Sequence, residues 1–253
     1  MSPRATTMKG RIYIGVGGWN FAPWRGSFYP KGLVHAQELH FASRELTSIE
    51  INSTFYRLQT PTTFQKWHDE TPDEFVFSVK APRFVMQRKR LAEAASSIDR
   101  FLSSGVLRLG SKLGAINWQI APQKQFDAAD LAEFLALLPA KVDGLPLRHA
   151  IEARHPSFDC EEFFAVTRQH QVAIVEAGDS KYPHIQARTA PFSYLRVMGT
   201  KASAPKGYAP AALTRWRKRA QELAGSGDVF LYFISGAKER NPLAARALIA
   251  TLP

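Results

Sequence analysis

The sequence contains a single cysteine, Cys160, among its 253 residues. One cysteine excludes an internal disulfide, and it also excludes a metal site built from several thiolates of one chain. Residues 1–11 lack the apolar segment of a secretion signal. Both observations are typical of a reducing compartment, so we expect a cytoplasmic protein.

Long apolar runs are also missing, and acidic residues are comparatively few. No run approaches the roughly 18 apolar residues that a membrane span requires, so we expect no membrane partner. The 22 acidic residues face 33 Lys and Arg, which gives a formal net charge of +11 and a pI near 9.9. This surplus favours an anionic partner, whether nucleic acid, a phosphorylated metabolite or a carboxylate.

What the sequence does contain is a regular alternation of short apolar runs with residues at helical spacing. The predicted strands cover residues 12–16, 48–51, 75–79, 115–120, 147–151, 172–175, 193–197 and 229–233. The predicted helices cover residues 36–44, 63–70, 91–103, 129–138, 161–170, 210–224 and 241–250, and the segment after Val175 is expected to be mostly loop. Eight strands alternating with helices over this length predict an α/β fold, a parallel eight-stranded closed sheet or (β/α)₈ TIM barrel.

The predicted domain organisation is a flexible segment at residues 1–10 followed by a single barrel domain at residues 11–253. An open, doubly wound sheet is the alternative architecture. Its dinucleotide-binding fingerprint is missing, because Asn20 stands where the third glycine of G-x-G-x-x-G would follow Gly15 and Gly17.

Polar side chains recur where the predicted strands end. In Ser48–Ile51 the isoleucines alternate with Glu50, and residues two apart share one face of a strand, so Glu50 and Asn52 should point into the barrel. The same alternation places further polar side chains at the ends of later strands: Ser78 and Lys80, Asn117 and Gln119, Glu152 and Arg154, and Arg196. Active sites of barrel enzymes lie at the carboxyl ends of the strands, which makes this set a candidate site.

A purely structural interpretation stays open at this point. Glu50 and Glu152 could form an ion-pair layer with Lys80, Arg154 and Arg196 that serves packing alone, since buried charges are costly unless they are paired.

Several motifs resemble one family along nearly the whole chain. They are Gly17-Gly18-Trp19, Trp24-Arg25-Gly26, Phe28-Tyr29-Pro30, Glu50-Ile51-Asn52-Ser53-Thr54-Phe55-Tyr56, Phe77-Ser78-Val79-Lys80-Ala81-Pro82, Gln119 before Pro122, Glu152-Ala153-Arg154-His155-Pro156-Ser157-Phe158, Tyr194-Leu195-Arg196-Val197-Met198-Gly199 and Tyr232-Phe233. In these stretches the sequence resembles the domain of unknown function 72, or YecE-like, family of barrel proteins. The resemblance implies a (β/α)₈ barrel and little about activity. The sequence departs from the family pattern at Ile234-Ser235-Gly236, where the family tends to place asparagine, and at Gly199, where histidine is common.

The first functional hypothesis is an enzyme acting on a small phosphorylated or carboxylated substrate, as a hydrolase, lyase or isomerase. Glu50, Glu152 and Lys80 are the predicted catalytic residues, with a glutamate as general acid or base. The predicted substrate-binding residues are Asn52, Gln119, Arg154, Arg196, Trp19, Tyr56 and His155. Two carboxylates also fit glycoside hydrolysis, for which their separation would decide the stereochemistry.

The other hypotheses are nucleic-acid binding or processing and a non-catalytic ligand-binding barrel. The first rests on the net charge, on Arg88-Lys89-Arg90 and on the basic residues around Trp216, although Leu213, Trp216 and Ala220 also follow the spacing of an ordinary amphipathic helix. No cofactor and no metal site is assigned. Metal-dependent cleavage would have only a few plausible ligands, namely His155, Glu50, Glu152, Glu176 and Asp179. We expect His155 to orient Arg154 or a loop carbonyl rather than to bind an ion.

Overall fold

A computed structural model describes residues 10–252, in which eight parallel strands form a closed barrel. Each strand pairs with the next one along the chain, and the eighth pairs with the first. The strands are β1 (Ile12–Gly17), β2 (Ser48–Ile51), β3 (Val76–Lys80), β4 (Leu113–Gln119), β5 (His149–Glu152), β6 (Ala173–Gly178), β7 (Phe192–Val197) and β8 (Asp228–Phe233). The predicted TIM barrel is therefore confirmed.

Helices follow most of the strands. They are α1 (Glu38–Glu45), α2 (Ser53–Tyr56), α3 (Pro61–Glu70), α4 (Arg83–Met86), α5 (Ala95–Leu102), α6 (Ala128–Ala136), α7 (Glu161–Gln169), α8 (Pro210–Ala224) and α9 (Asn241–Ile249). Proline stands at the start of α3 and α8, where its missing N–H has no partner to lose. The loop from β6 to β7 contains no helix, as the sequence predicts.

Two apolar cores lie on opposite faces of the sheet. Along β6, Ile174 packs into the outer core between strands and helices, whereas Val175 packs into the barrel interior. Ile116 and Ala115 of β4 divide in the same way. This alternation is the period-two pattern of a strand, and it fixes which side chains reach the lumen.

An ion pair lies at the amino end of the barrel. Arg148 Nη1 is 2.7 Å from Asp228 Oδ2, and the Arg148 guanidinium lies 4.9 Å from the centre of the Phe230 ring. The two side chains are 32% and 29% exposed, so this ion pair lies at the surface of the amino end.

The structure leaves residues 1–9 and Pro253 undescribed, so the predicted flexibility of residues 1–10 lies almost entirely outside it. Gly10 is described, and its backbone N–H donates to the Ala224 carbonyl. Within residues 10–252, no helix is both long and apolar enough to cross a membrane.

Candidate functional site

A cavity of about 620 Å³ opens at the carboxyl ends of the strands. Cationic and amide side chains dominate its polar lining. The cations are Lys80, Arg83, Arg154, Arg196 and Lys238, and the amides are Asn52, Gln87, Gln119, Gln123 and Asn241. No carboxylate of a described residue lines this cavity. A site with this lining favours an anionic ligand.

The floor beneath the cavity is a buried ion-pair network centred on Arg196. Its Nη2 lies 3.0 Å from Glu50 Oε2, and its Nη1 lies 2.6 Å from Glu152 Oε2. Tyr194 donates to Glu50 Oε1 at 2.7 Å, and the Asn117 amide donates to Glu152 Oε2 at 3.3 Å. Strands β2, β5 and β7 each contribute one charge, so the network crosses the lumen and ties three strands together.

Glu152 receives a second cation at the cavity wall. Arg154 places Nε and Nη2 at 2.9 and 2.8 Å from Glu152 Oε1, and Gln119 donates to Oε2 at 2.8 Å. Arg154 also lies 4.3 Å above the Tyr182 ring, which supports its flat orientation. The guanidinium is thus fixed in place.

The protonation states of this network follow from its contacts. Burial alone would raise the pKa of Glu152, but Arg196, Arg154 and Lys80 outweigh it and lower the pKa to about 2. Burial opposes the charge of Arg196, yet Glu152 and Glu50 raise its pKa above the ordinary value. Burial and the neighbouring Glu50 raise the pKa of Tyr194, which stays a neutral donor. At neutral pH, Glu152 is therefore an ion-paired carboxylate and not a proton donor.

Lys80 differs from these groups because no counter-ion contacts it. The residue is 8% exposed, and its Nζ makes no ion pair with any described carboxylate and no hydrogen bond within residues 10–252. Its ammonium lies 3.8 Å above the centre of the Phe55 ring. Burial and then Arg196 lower the pKa of Lys80 to about 8, against the weaker opposing effect of Glu50 and Glu152.

The structure brings eight of the ten predicted site residues together. Glu50 and Glu152 lie in the floor, and Lys80, Gln119, Arg154 and Arg196 line the cavity. Asn52 and Tyr56 also line it, with Tyr56 68% exposed at the rim. The roles assigned to these residues stay predictions.

Trp19 and His155 are not part of this cavity. Trp19 lines a neighbouring cleft of about 510 Å³ and packs edge-on against Trp67, with ring centres 5.1 Å apart. His155 is expected to orient Arg154 or a loop carbonyl; its hydrogen bonds within the described residues go to Ser157 instead, where Nδ1 accepts from the backbone N–H at 3.2 Å and lies 2.8 Å from Oγ. This contact is local, because the ring caps the short helical turn Pro156–Phe158.

Sequence reasoning missed Arg83 and Lys238. Arg83 begins α4 after the Ala81-Pro82 that follows β3, and Lys238 begins the short helical turn Lys238–Arg240 after β8. A search for every basic residue within a few positions of a strand's carboxyl end would have found both.

The carboxylates proposed as metal ligands do not converge. Glu176 faces outward to α8, where Arg219 Nη2 lies 2.8 Å from its Oε2, and Asp179 accepts from the Trp216 indole at 2.9 Å. Within the described part of the chain, no group of three or more His, Cys, Asp or Glu side chains is placed to hold a metal ion.

This chain is similar to known proteins in sequence and in fold. The family model described as protein of unknown function DUF72 matches residues 13–253. The chain belongs to the DUF72 family. Solved DUF72 proteins share its fold: one from Thermotoga maritima has a TM-score of 0.73 at 22% identity, covering 94% of this chain and 97% of the other. One from Enterococcus faecalis has a TM-score of 0.74 at 16% identity, covering 94% of each chain.

A curated relative matches a shorter stretch. The UPF0759 protein YecE of Escherichia coli K12 is 26% identical over 148 residues, which are 58% of this chain and 50% of YecE. This chain therefore matches about half the length of that DUF72 relative. A psychrophilic family 10 endo-β-1,4-xylanase has a TM-score of 0.57 at 8% identity, covering 97% of this chain and 98% of the xylanase, a likeness of fold alone.

Proposed function

We propose that this DUF72 barrel is an enzyme that binds a small phosphorylated or carboxylated substrate in the cavity at the carboxyl ends of its strands. One observation carries the proposal: cations line the cavity, whereas both nearby carboxylates are fully buried beneath it. A ligand entering the cavity meets Lys80, Arg83, Arg154 and Lys238, and within residues 10–252 it meets no carboxylate in the cavity lining. Such a surface attracts anions and repels cations.

The floor of the cavity contains a hydrogen-bond donor that has no partner within the described residues. Arg196 lines the cavity, yet its Nε is buried and has no hydrogen-bond partner among the described residues. A buried donor without a partner costs about 1–3 kcal/mol. Because this atom is closed to solvent, an oxygen of a bound phosphate or carboxylate would reach it only after a small shift of the cavity floor, while the two Nη atoms stay on the glutamates.

The geometry favours Lys80 for proton transfer over the two predicted glutamates. Glu152 is ion-paired to two arginines, and Glu50 contacts Arg196 and Tyr194. Lys80 has a pKa of about 8 and an unpaired Nζ, so it can take or give a proton near neutral pH. We therefore assign Glu50 and Glu152 as positioning residues for the arginines.

Among the reaction classes considered, lyases and isomerases suit this site better than glycoside hydrolases. A glycosidase needs open space between its two carboxylates for the bond that it cleaves. Here the Arg196 guanidinium contacts both carboxylates and occupies that space.

Isothermal titration with inorganic phosphate, organic acids and sugar phosphates tests the proposal. We expect at least one anion to bind, and we expect the Arg83→Gln/Lys238→Gln variant to weaken it by roughly tenfold or more, because a hydrogen bond to a charged group contributes about 1.5–3 kcal/mol. Both side chains are exposed, so the variant should fold. Lys218→Gln removes an exposed charge on α8 outside the cavity and should bind like the wild type.

The alternatives predict different titrations. Nucleic-acid binding predicts that oligonucleotides alone bind, with strong salt dependence and with sensitivity to Lys218→Gln. That result, or a complete lack of anion binding, would overturn the proposal. A non-catalytic barrel predicts anion binding without conversion of the ligand, which a turnover assay on each binding anion would show.

A further inference from the structure

Two buried lysines of this chain have opposite surroundings. Lys112 is 3% exposed, and its Nζ donates to the His68 and Thr71 carbonyls at 2.6 and 2.7 Å. Lys80 is 8% exposed; its Nζ has no oxygen partner among residues 10–252 and opens on the cavity. A lysine used for packing is expected to be satisfied like Lys112, because an unpaired buried charge is costly. The missing oxygen partner of the Lys80 ammonium therefore indicates a role in chemistry and not in packing.

The groups around Lys80 suit a nucleophilic amine. The Phe55 ring covers the ammonium on one side, with its centre 3.8 Å from Nζ, and no carboxylate oxygen of a described residue forms an ion pair with Lys80. Arg196 lies in the floor and Arg154 in the wall of the same cavity, where each can hold an anionic group of a ligand beside the amine. An amine desolvated next to cations is the arrangement that activates lysine toward carbonyl carbons.

We infer that Lys80 forms an imine with the carbonyl carbon of a small anionic aldehyde or ketone, such as a 2-oxo acid or a phosphorylated sugar in its open form. This inference rests on the proposed function, since the same cavity must first bind the anion. It narrows the substrate class from any small anion to one that bears a carbonyl group near its charge.

The step balances without any further reactant. The lone pair of the neutral Nζ attacks the carbonyl carbon and forms a C–N bond, while the C=O π electrons move to oxygen. When the product is the neutral imine, the oxygen leaves as water with the two protons of the amine. When the product is the protonated imine, nitrogen keeps one of its protons and solvent supplies the second proton of the water. Nothing is oxidised or reduced.

The lowered pKa makes the amine available at physiological pH. At a pKa of about 8, roughly a tenth of Lys80 is neutral at pH 7, compared with less than about 0.1% of a lysine at its ordinary value. The rate of imine formation should therefore rise with pH and level off above about 8, whereas reaction at exposed lysines keeps rising toward pH 10.

The test is reductive trapping of the intact protein with sodium borohydride in the presence of pyruvate or dihydroxyacetone phosphate, followed by peptide mass mapping. We expect one adduct, on the peptide that contains Lys80, formed at least tenfold faster than on any other lysine. Lys80→Arg should abolish it, because a guanidinium does not form the imine, and Lys218→Arg should leave it unchanged. Acetone, which has the carbonyl but no charge, should label Lys80 much more slowly.

The possible outcomes separate this inference from the function on which it rests. If calorimetry shows that a carbonyl-bearing anion binds, yet trapping labels exposed lysines evenly or not at all, the imine is overturned and the anion site stands. If no anion binds and Lys80 is not labelled, both are overturned. A Lys80 adduct that Lys80→Arg removes, with the pH profile described above, supports both.

Discussion

At the scale of single residues, Lys80 has a reactive amine in surroundings that destabilise its charged form. Its amine is enclosed by Phe55 and the cavity wall, and burial is the main cause of its lowered pKa. The amine that suits reaction with a ligand therefore lowers the free energy of unfolding, because its charge is buried. Such costs concentrate at functional sites.

Lys80→Met should therefore stabilise the protein at neutral pH. The pKa of Lys80 is about 8 in the folded chain and near 10.5 in the unfolded chain, so the unfolded state binds more protons between these values. The penalty is complete below about pH 8, where it amounts to roughly 3 kcal/mol, and it vanishes as the pH rises through 10.5. Thermal unfolding from pH 7 to pH 10 checks this.

The expected result is a melting temperature several degrees above that of the wild type at pH 7, with the difference shrinking toward pH 10. The exposed Lys218→Met is the control and should change stability little at either pH. A variant that is less stable than the wild type at pH 7 would contradict the burial cost.

At the scale of elements, the turn after β8 shapes one wall of the cavity. Ser235 lies there with a φ of 56°, a left-handed conformation, and its carbonyl accepts from the Asn241 amide at 3.2 Å. The resemblance to the family implies asparagine near this turn, and asparagine is one of the non-glycine residues that adopt this conformation readily. Serine at position 235 therefore holds a conformation that asparagine also accommodates.

Substitutions at Ser235 should show whether the left-handed backbone conformation affects stability. Ser235→Val should lower the free energy of unfolding by about 1–2 kcal/mol, because a β-branched residue is strained at this φ. Ser235→Asn should stay close to the wild type. Urea unfolding measures both, with Ser193→Val in the extended strand β7 as the matched control, where valine is well accommodated. Equal losses at positions 193 and 235 would contradict the argument.

How far the sequence predicts this structure also depends on scale. The two periodicities, of strands and of helices, predict the eight strands, the barrel and the inward face of Glu50, Glu152 and Arg196. They do not predict that Arg196 lies between the two glutamates, since that depends on the register of three strands distant in sequence. The periodicities also do not predict that His155 caps the turn Pro156–Phe158, and they carry no signal for Lys238, which begins the short turn Lys238–Arg240.

At the scale of the whole molecule, the network of Glu50, Glu152 and Arg196 should couple the stability of three strands. Arg196→Met should cost about 3–5 kcal/mol, because it leaves two buried carboxylates without their shared cation. Adding Glu50→Gln should recover part of that loss, since one of the two charges is then removed. A double-mutant cycle from urea unfolding measures the coupling.

An arginine at the surface provides the comparison for this cycle. Arg90→Met breaks the pair with Glu133, in which both side chains are more than half exposed, and should change the free energy of unfolding by less than about 1 kcal/mol. Additive effects of Arg196→Met and Glu50→Gln would show that the network does not link the strands energetically.

The position of Arg196 along the chain also has a consequence for synthesis. Glu50 is translated 146 residues before its partner, and Glu152 is translated 44 residues before it. Until Arg196 leaves the ribosome, the nascent chain carries two carboxylates intended for the barrel interior without their common cation. We therefore expect the first six strands to stay expanded during translation and to close only after β7 emerges, so that the barrel matures late and as a unit.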